Sequence, residues 1–199
     1  MSSDSFYNPA IHHRRSIRLS DYDYSLAGLY FVTICVKDRQ CLFGHVNGGQ
    51  MVLNEAGEIA RQEWGKSVEI RQGIALHEFI IMPNHMHGIV EIIDTKCRGD
   101  WQVAQATTIG SDQTHRSAGN QGDLPIAPTR LNPKSLGAMI GGYKASVTKK
   151  VNDIRQASES VWQRNYYEHI IRNAHSHQQI SEYITTNPQR WEQDALYAL

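Results

Sequence analysis

The chain has 199 residues, 40% hydrophobic and 20% charged, an ordinary globular balance sufficient for one good-sized domain with its own core. Twenty basic residues meet twenty acidic ones, so bulk electrostatic binding of nucleic acid is disfavoured and any DNA site must rest on local charge. No apolar run approaches the ~20 residues of a membrane span, residues 1–8 lack a signal-peptide core, and three scattered cysteines (Cys35, Cys41, Cys97) exclude a disulfide framework or a zinc ribbon. These features predict a cytoplasmic protein with no membrane partner.

Residues 1–18 read as an arm, with His12, His13, Arg14, Arg15 and Arg18 clustered before any periodic pattern begins. Its first ten residues fit a frayed terminus. Arg14, Arg15 and Arg18 fit contacts to phosphate equally well. Residues 29–36 are β-branched and aromatic, and Tyr30, Val32, Ile34 and Val36 alternate onto one face of a strand. Gly44, Gly48 and Gly49 punctuate a hairpin-like stretch over 41–53. Asn54 is then a plausible cap for an amphipathic helix over about 55–70, in which Ala56, Ala60, Trp64 and Val68 recur every four residues.

A second strand is expected over 74–82, a turn at Pro83-Asn84 and a third strand over 85–93, the two strands paired as a hairpin. Within it, Asn84-His85-Met86-His87-Gly88 sets two histidines two residues apart, so both point to one face of the strand while Met86, Val90 and Ile92 point to the core. Paired imidazoles on the solvent side of such a strand are placed to hold a divalent metal. Two half-buried structural histidines fit the spacing equally well. Gly88 leaves room for a close approach to the backbone.

Residues 95–130 turn to Gly, Ser, Thr, Gln and Asp with little periodicity, and read as a polar, disordered surface insertion. Helical spacing returns over 134–155, where Leu136, Met139, Ile140, Tyr143, Val147, Val151 and Ile154 form an apolar stripe. Lys144, Lys149 and Lys150 fall outside the stripe. Together with Lys134, Arg155, Arg164 and Arg172 they make residues 134–172 locally basic, seven cations against three acids. A solvated helix face and a strip along a phosphate backbone both explain that excess. Residues 161–167, Val-Trp-Gln-Arg-Asn-Tyr-Tyr, form a short strand or loop whose tyrosines could stack on bases or pack.

A last helix is expected over about 176–186. Ile180 and Ile184 form its buried edge, and Gln179, Tyr183 and Asn187 recur every four residues on another face. Pro188 ends it and Trp191 packs the terminus down. His175 and His177, near its start, read as surface residues. Antiparallel strands with helices on one face give an α+β, ferredoxin-like fold.

Five stretches in this order resemble the REP-associated tyrosine transposases, single-tyrosine members of the HUH endonucleases. They are Arg14-Arg15-Ser16-Ile17-Arg18, Gly28-Leu29-Tyr30-Phe31-Val32-Thr33, Met82-Pro83-Asn84-His85-Met86-His87-Gly88-Ile89, residues 162–172 from Trp162-Gln163-Arg164 to Ile171-Arg172, and Tyr183-Ile184-Thr185-Thr186-Asn187-Pro188. The resemblance implies one transposase-like domain over residues 1–199, with an N-terminal arm over about 1–27, in an antiparallel sheet of HUH-endonuclease type with helices packed on it. It implies a metal-dependent endonuclease and strand transferase acting on single-stranded or hairpin DNA of repeat elements.

In that family's pattern His85 and His87 bind the metal, Asn187 is the third, oxygen-donating ligand, and Tyr183 is the nucleophile that leaves a 5′-phosphotyrosine and a free 3′-hydroxyl. Mixed nitrogen and oxygen ligation suits Mn²⁺, and Mg²⁺ when it is abundant. The DNA-facing residues would be Arg14, Arg15, Arg18, Lys144, Lys149, Lys150, Arg164 and Arg172. The protein would work as a monomer or homodimer in the cytoplasm, at the nucleoid when bound. Two other readings compete: a catalytically idle binder of DNA hairpins, and a metal-dependent hydrolase using the histidines with Glu91 or Asp94.

Overall fold

A computed structural model describes residues 26–93 and 135–197. The arm with Arg14, Arg15 and Arg18, the insertion expected at 95–130 and Asp94 lie outside the described residues.

Strand β1, Gly28–Cys35, takes the alternation its sequence demands, burying Tyr30, Val32 and Ile34 on one face. Strands β2 (Gly44–Asn47) and β3 (Gln50–Leu53) form a small hairpin turned by Gly48 and Gly49, whose φ values of 57° and 74° favour glycine. Helix α1, Glu55–Ile70, starts at Asn54, whose side-chain oxygen accepts the Gly57 N–H at 3.0 Å. Strands β4 (Ile74–Ile81) and β5 (His85–Ile92) pair as the expected hairpin. Helix α2, Leu136–Arg155, is capped by Ser135. A short strand β6, Tyr167–Ile171, and helix α3, Ala174–Thr186, capped by Asn173, complete the order before a 3-10 segment at Asn187–Gln193.

The sheet runs β4-β5-β1-β6, and every neighbouring pair is antiparallel. With the β2–β3 hairpin set aside, the chain runs strand, helix, strand, strand, helix, strand, with the first and third strands at the centre. That is the ferredoxin-like arrangement expected from the sequence. Where the aromatic stretch 161–167 was expected to supply a strand or loop, only a bridge at Trp162 joins the sheet, opposite Val36, and β6 begins at Tyr167.

The helices occupy both faces of the sheet, not one. Helices α1 and α2 cover the face of Tyr30, Val32, Ile34, Met86 and Val90, where Trp64, Met139, Tyr143 and Val147 complete the main core. Helix α3 covers the other face, where Ile180 and Ile184 meet Phe31, Ile89 and Ile171. Both parities of β1 and β5 therefore need cover, as in a strand buried on two sides. Gly88 serves the main core: a Cβ there would meet Trp64 Cζ2 at 2.8 Å, so the room at this glycine belongs to the indole. The α2 stripe ends at Val151, and Ile154, expected in it, is 42% exposed.

A charged cluster joins α1 to α2. Glu63 is only 7% exposed and takes Lys150 at 2.6 Å, Lys66 at 2.9 Å and the Ser146 hydroxyl. Burial raises the pKa of Glu63, but hydrogen bonds from Lys150, Ser146 and Lys66 outweigh it and bring it down to about 2. A depressed carboxylate stabilises the fold above its unfolded pKa and loses that contribution as pH falls towards its folded one. The parent should therefore lose stability between about pH 4.5 and pH 2, by up to about 3 kcal/mol from this group. Glu63→Gln should cost about 1–3 kcal/mol at pH 7 and flatten that acid limb, as read by urea unfolding across pH.

Candidate active site

Three elements converge beneath the α3 face. The β4–β5 turn and β5 carry Asn84, His85 and His87; β1 carries Thr33; α3 and the segment after it carry Tyr183, Asn187 and Asp194. His85 and His87 do share a face, as their spacing requires, and their Nε2 atoms stand 3.1 Å apart. They do not face solvent. They are 0% and 3% exposed, because α3 and Trp191, whose ring lies 5.8 Å from that of His85, close over them.

Each imidazole is held from behind. Asn84 Nδ2 donates to the carbonyls of Arg39 (3.2 Å) and Leu196 (2.8 Å), which turns its Oδ1 towards His85 Nδ1 at 2.8 Å. That oxygen can only accept, so His85 carries its hydrogen on Nδ1 and presents a lone pair at Nε2. Thr33 Oγ1 bonds His87 Nδ1 at 2.8 Å and anchors that ring; a hydroxyl can donate or accept, so either tautomer satisfies it. Phe31 stacks on the His87 ring at 5.4 Å and fixes its plane.

Burial lowers the pKa of His85 to about 4, opposed by the Asp194 charge; burial and then His85 push that of His87 well below its ordinary value. Both rings are therefore neutral near pH 7, with their Nε2 atoms aimed at one point. Neutral rings with backing partners on Nδ1 are what metal-binding histidines require.

The remaining groups complete an oxygen side. Asp194 joins His85 and His87 in a cluster whose ligand atoms all lie within 4.8 Å of one another. Asp194 Oδ2 accepts from Asn187 Nδ2 at 2.8 Å, and Oδ1 accepts the Leu196 N–H at 2.6 Å. Asn187 is 2% exposed, and its Oδ1 is buried without a hydrogen-bond partner among the described residues. Two neutral imidazoles and a carboxylate in one cluster, with a buried orphan carbonyl on the asparagine bonded to that carboxylate, are donors that fit a divalent cation.

The Tyr183 hydroxyl reaches the same point, 3.2 Å from His87 Nε2 and 3.4 Å from Asp194 Oδ2, on a side chain 39% exposed. Burial and then the Asp194 charge raise its pKa to about 12, so the phenol is protonated at neutral pH.

The structure thus brings together His85, His87, Tyr183 and Asn187. Asp194 and Asn84 were not legible as members. Asp194 follows the last periodic segment with no motif around it, and Asn84 read as a turn residue.

The cations separate. Lys149 and Arg164 line a shallow groove of about 490 Å³ with Lys144 and Trp162. This groove lies at the end of the sheet that holds the site, since Gln163 N–H bonds Cys35 O and Cys35 pairs with His85. Lys144 is turned onto the carbonyls of Gln163 and Asn165. Lys150, expected to face solvent or DNA, keeps a side chain 44% exposed while its Nζ bonds Glu63 at 2.6 Å. Arg172 follows β6 at the opposite end of the sheet, since Ile171 pairs with Leu29. Of the other tyrosines weighed as nucleophiles, Tyr143 is 2% exposed in the main core and Tyr166 packs against that core. The Tyr167 ring meets Phe31 edge-on at 6.3 Å.

No family model matches the chain. A protein of Haemophilus influenzae, described as an uncharacterized protein, is 43% identical over 196 residues, which cover 96% of this chain and 97% of that one. This chain belongs to that protein's family. Among solved structures, a REP-associated tyrosine transposase bound to a REP hairpin superposes with a TM-score of 0.52 at 18% identity, over 86% of this chain and 74% of that one. The α+β fold with its four-stranded antiparallel sheet is therefore one that a transposase also uses. No helix among the described residues is long and apolar enough to cross a membrane.

Proposed function

We propose that the protein is a metal-dependent single-stranded DNA endonuclease and strand transferase of the tyrosine transposase kind, acting on hairpin-forming repeat DNA through a 5′-phosphotyrosine. The observation that carries this reading is the Tyr183 hydroxyl standing 3.2 Å from Nε2 of a buried, neutral histidine pair. The shared fold supports it, because the solved neighbour is a transposase described with a hairpin bound.

In this reading His85 and His87 hold Mn²⁺ or Mg²⁺ and Asn187 Oδ1 supplies an oxygen donor, with Asp194 beside them as the free carboxylate. A bound cation would polarise the scissile phosphate and offset its developing charge. The chain's own residues do the rest. Tyr183 Oη attacks phosphorus, the bond to the 3′-oxygen breaks, and that oxygen leaves as a hydroxyl after taking a proton from water. Asp194 Oδ2 is the acceptor for the phenol proton once His87 Nε2 is committed as a ligand, and a phenol with a pKa of about 12 needs such a base. Phe31 and Thr33 keep His87 in plane, and Asn84 keeps His85 in its tautomer. Conserving the bond energy in a phosphotyrosine lets the 3′-hydroxyl reverse the step, which suits strand transfer.

A labelled single-stranded hairpin incubated with the protein and Mn²⁺ tests the proposal. A covalent adduct supports it; binding without an adduct makes the protein a hairpin binder, and cleavage without an adduct makes it a hydrolase.

DNA is expected to lie over the Lys149–Arg164 groove. A Lys149→Ala, Arg164→Ala protein should bind more weakly and lower the slope of log K against log salt by about 1.5, near 0.7 per phosphate contact on a single strand. Lys150→Ala should leave that slope unchanged, since its charge is spent on Glu63. Equal slopes for both variants would remove the groove from the binding surface.

A further inference from the structure

Away from Tyr183, the same face of the sheet carries a second convergence of ligating side chains. Between Leu76, opposite Val90, and Phe79, opposite Gly88, the register of β4 slips, so His77 and Glu78 together face the single residue Ile89. A bulge of this kind re-aims side chains that strict alternation would send to opposite faces. Ile89 belongs to the layer under α3, and there both residues meet the start of that helix. The rings of His77 and His177 are 5.5 Å apart, and Ser181 Oγ donates to Glu78 Oε2 at 3.1 Å.

The ligating atoms of His77, Glu78 and His177 lie within 4.8 Å of one another. Glu91, next on the same face of β5, bonds His77 Nε2 at 2.9 Å and steadies the ring beside the cluster. The His77 and Glu91 side chains are 32% and 39% exposed, so an ion has access from solvent.

We propose that His77, Glu78 and His177 form a second metal site, of the two-histidine, one-carboxylate type that takes Zn²⁺, pinning the first turn of α3 to β4. The donor chemistry selects a borderline ion over Mg²⁺, which prefers oxygen and water. Bonds of ~2.0–2.1 Å would draw the three donors to about 3.4 Å apart, a shift within reach of side-chain rotation. A fourth position is left for water. The site joins residues that are distant in sequence, so an ion there stabilises only the folded arrangement. It also fixes the helix that carries Tyr183, about 9 Å further along its axis. The proposal does not depend on the transposase reading.

Zn²⁺ itself is the probe, with binding as the readout. A protein with His85→Ala and His87→Ala lacks the imidazoles of the first site. After dialysis against micromolar Zn²⁺ it is expected to retain about one equivalent and to melt several degrees higher than without the ion. Co²⁺ in its place is expected to give the intense visible absorption of a tetrahedral ion. Adding His77→Gln and His177→Gln should remove the equivalent, the absorption and the rise in melting temperature. Should the double alanine variant not fold, the same contrast is read in the native chain, where His77→Gln, His177→Gln should lower the bound Zn²⁺ by one equivalent. Failure to retain Zn²⁺, or retention that survives loss of both His77 and His177, overturns the proposal. Either result leaves the adduct experiment untouched.

Discussion

Tyr183→Phe is expected to abolish the covalent protein–DNA adduct while leaving the fold and hairpin binding in place. The substitution removes one oxygen from a side chain that is 39% exposed, and with it bonds of 3.2 Å to His87 and 3.4 Å to Asp194. A cost of about 0.5–1.5 kcal/mol follows for stability. The ring keeps its edge contact with Phe31 at 6.3 Å, so the helix stays seated. The chemistry has no substitute: loss of a nucleophile at a preorganised site lowers turnover on the order of 10⁴–10⁶-fold. Denaturing gel electrophoresis of a labelled hairpin reads the outcome. A phenylalanine variant that still forms the adduct would move the nucleophile elsewhere, with Tyr167 the nearest exposed phenol to Phe31.

His85→Ala and His87→Ala should each lose cleavage as well, but by a different route. Each removes one of the two Nε2 atoms that meet at 3.1 Å, so the affinity for Mn²⁺ should fall, and excess Mn²⁺ should partly restore cleavage by His85→Ala. Asn84→Ala leaves both ligands but releases His85 Nδ1, and should weaken Mn²⁺ binding about 10–100-fold. Titration calorimetry separates these cases.

The same pair sets an acid limb in the ion-free protein. Unfolded histidines take a proton near pH 6.5, whereas burial delays protonation of folded His85 to about 4. Stability is therefore complete above pH 6.5 and falls as pH drops from 6.5 towards 4, by up to about 3 kcal/mol for His85. The double alanine variant should show a flatter profile over that interval, and added Mn²⁺ should steepen the parent's, since protons and metal compete for the same nitrogens. A parent whose stability does not change between pH 6.5 and pH 4 would mean the rings are not held neutral.

What the sequence determined by itself was local. Alternation over Tyr30, Val32 and Ile34 set β1, helical spacing set α1 and α2 with Asn54 as the cap of α1, and Pro83-Asn84 set the β4–β5 turn. The spacing of His85 and His87 set their common face, because the period of two is a property of any strand. The family resemblance, carried by ordered motifs, singled out Tyr183 and Asn187; the fold then set Tyr183 beside His87 and bonded Asn187 to Asp194 of the same cluster.

Only the tertiary structure decided the rest, and each case has the same cause: a partner far along the chain. His85 and His87 are buried because α3 packs on their face, although apolar residues at both parities of β5 could not say which helix covers which side. Lys150 is spent on Glu63, 87 residues away, so a helix-wheel reading of α2 left it free. Asp194 reaches the site through the 3-10 segment after Pro188, a geometry with no sequence period. A slip of one residue in the β4 register turns His77 and Glu78 to the same side, where strict alternation had separated them, and brings them to His177. Periodicity is a local property of the backbone, whereas these pairings depend on which surfaces the sheet brings together.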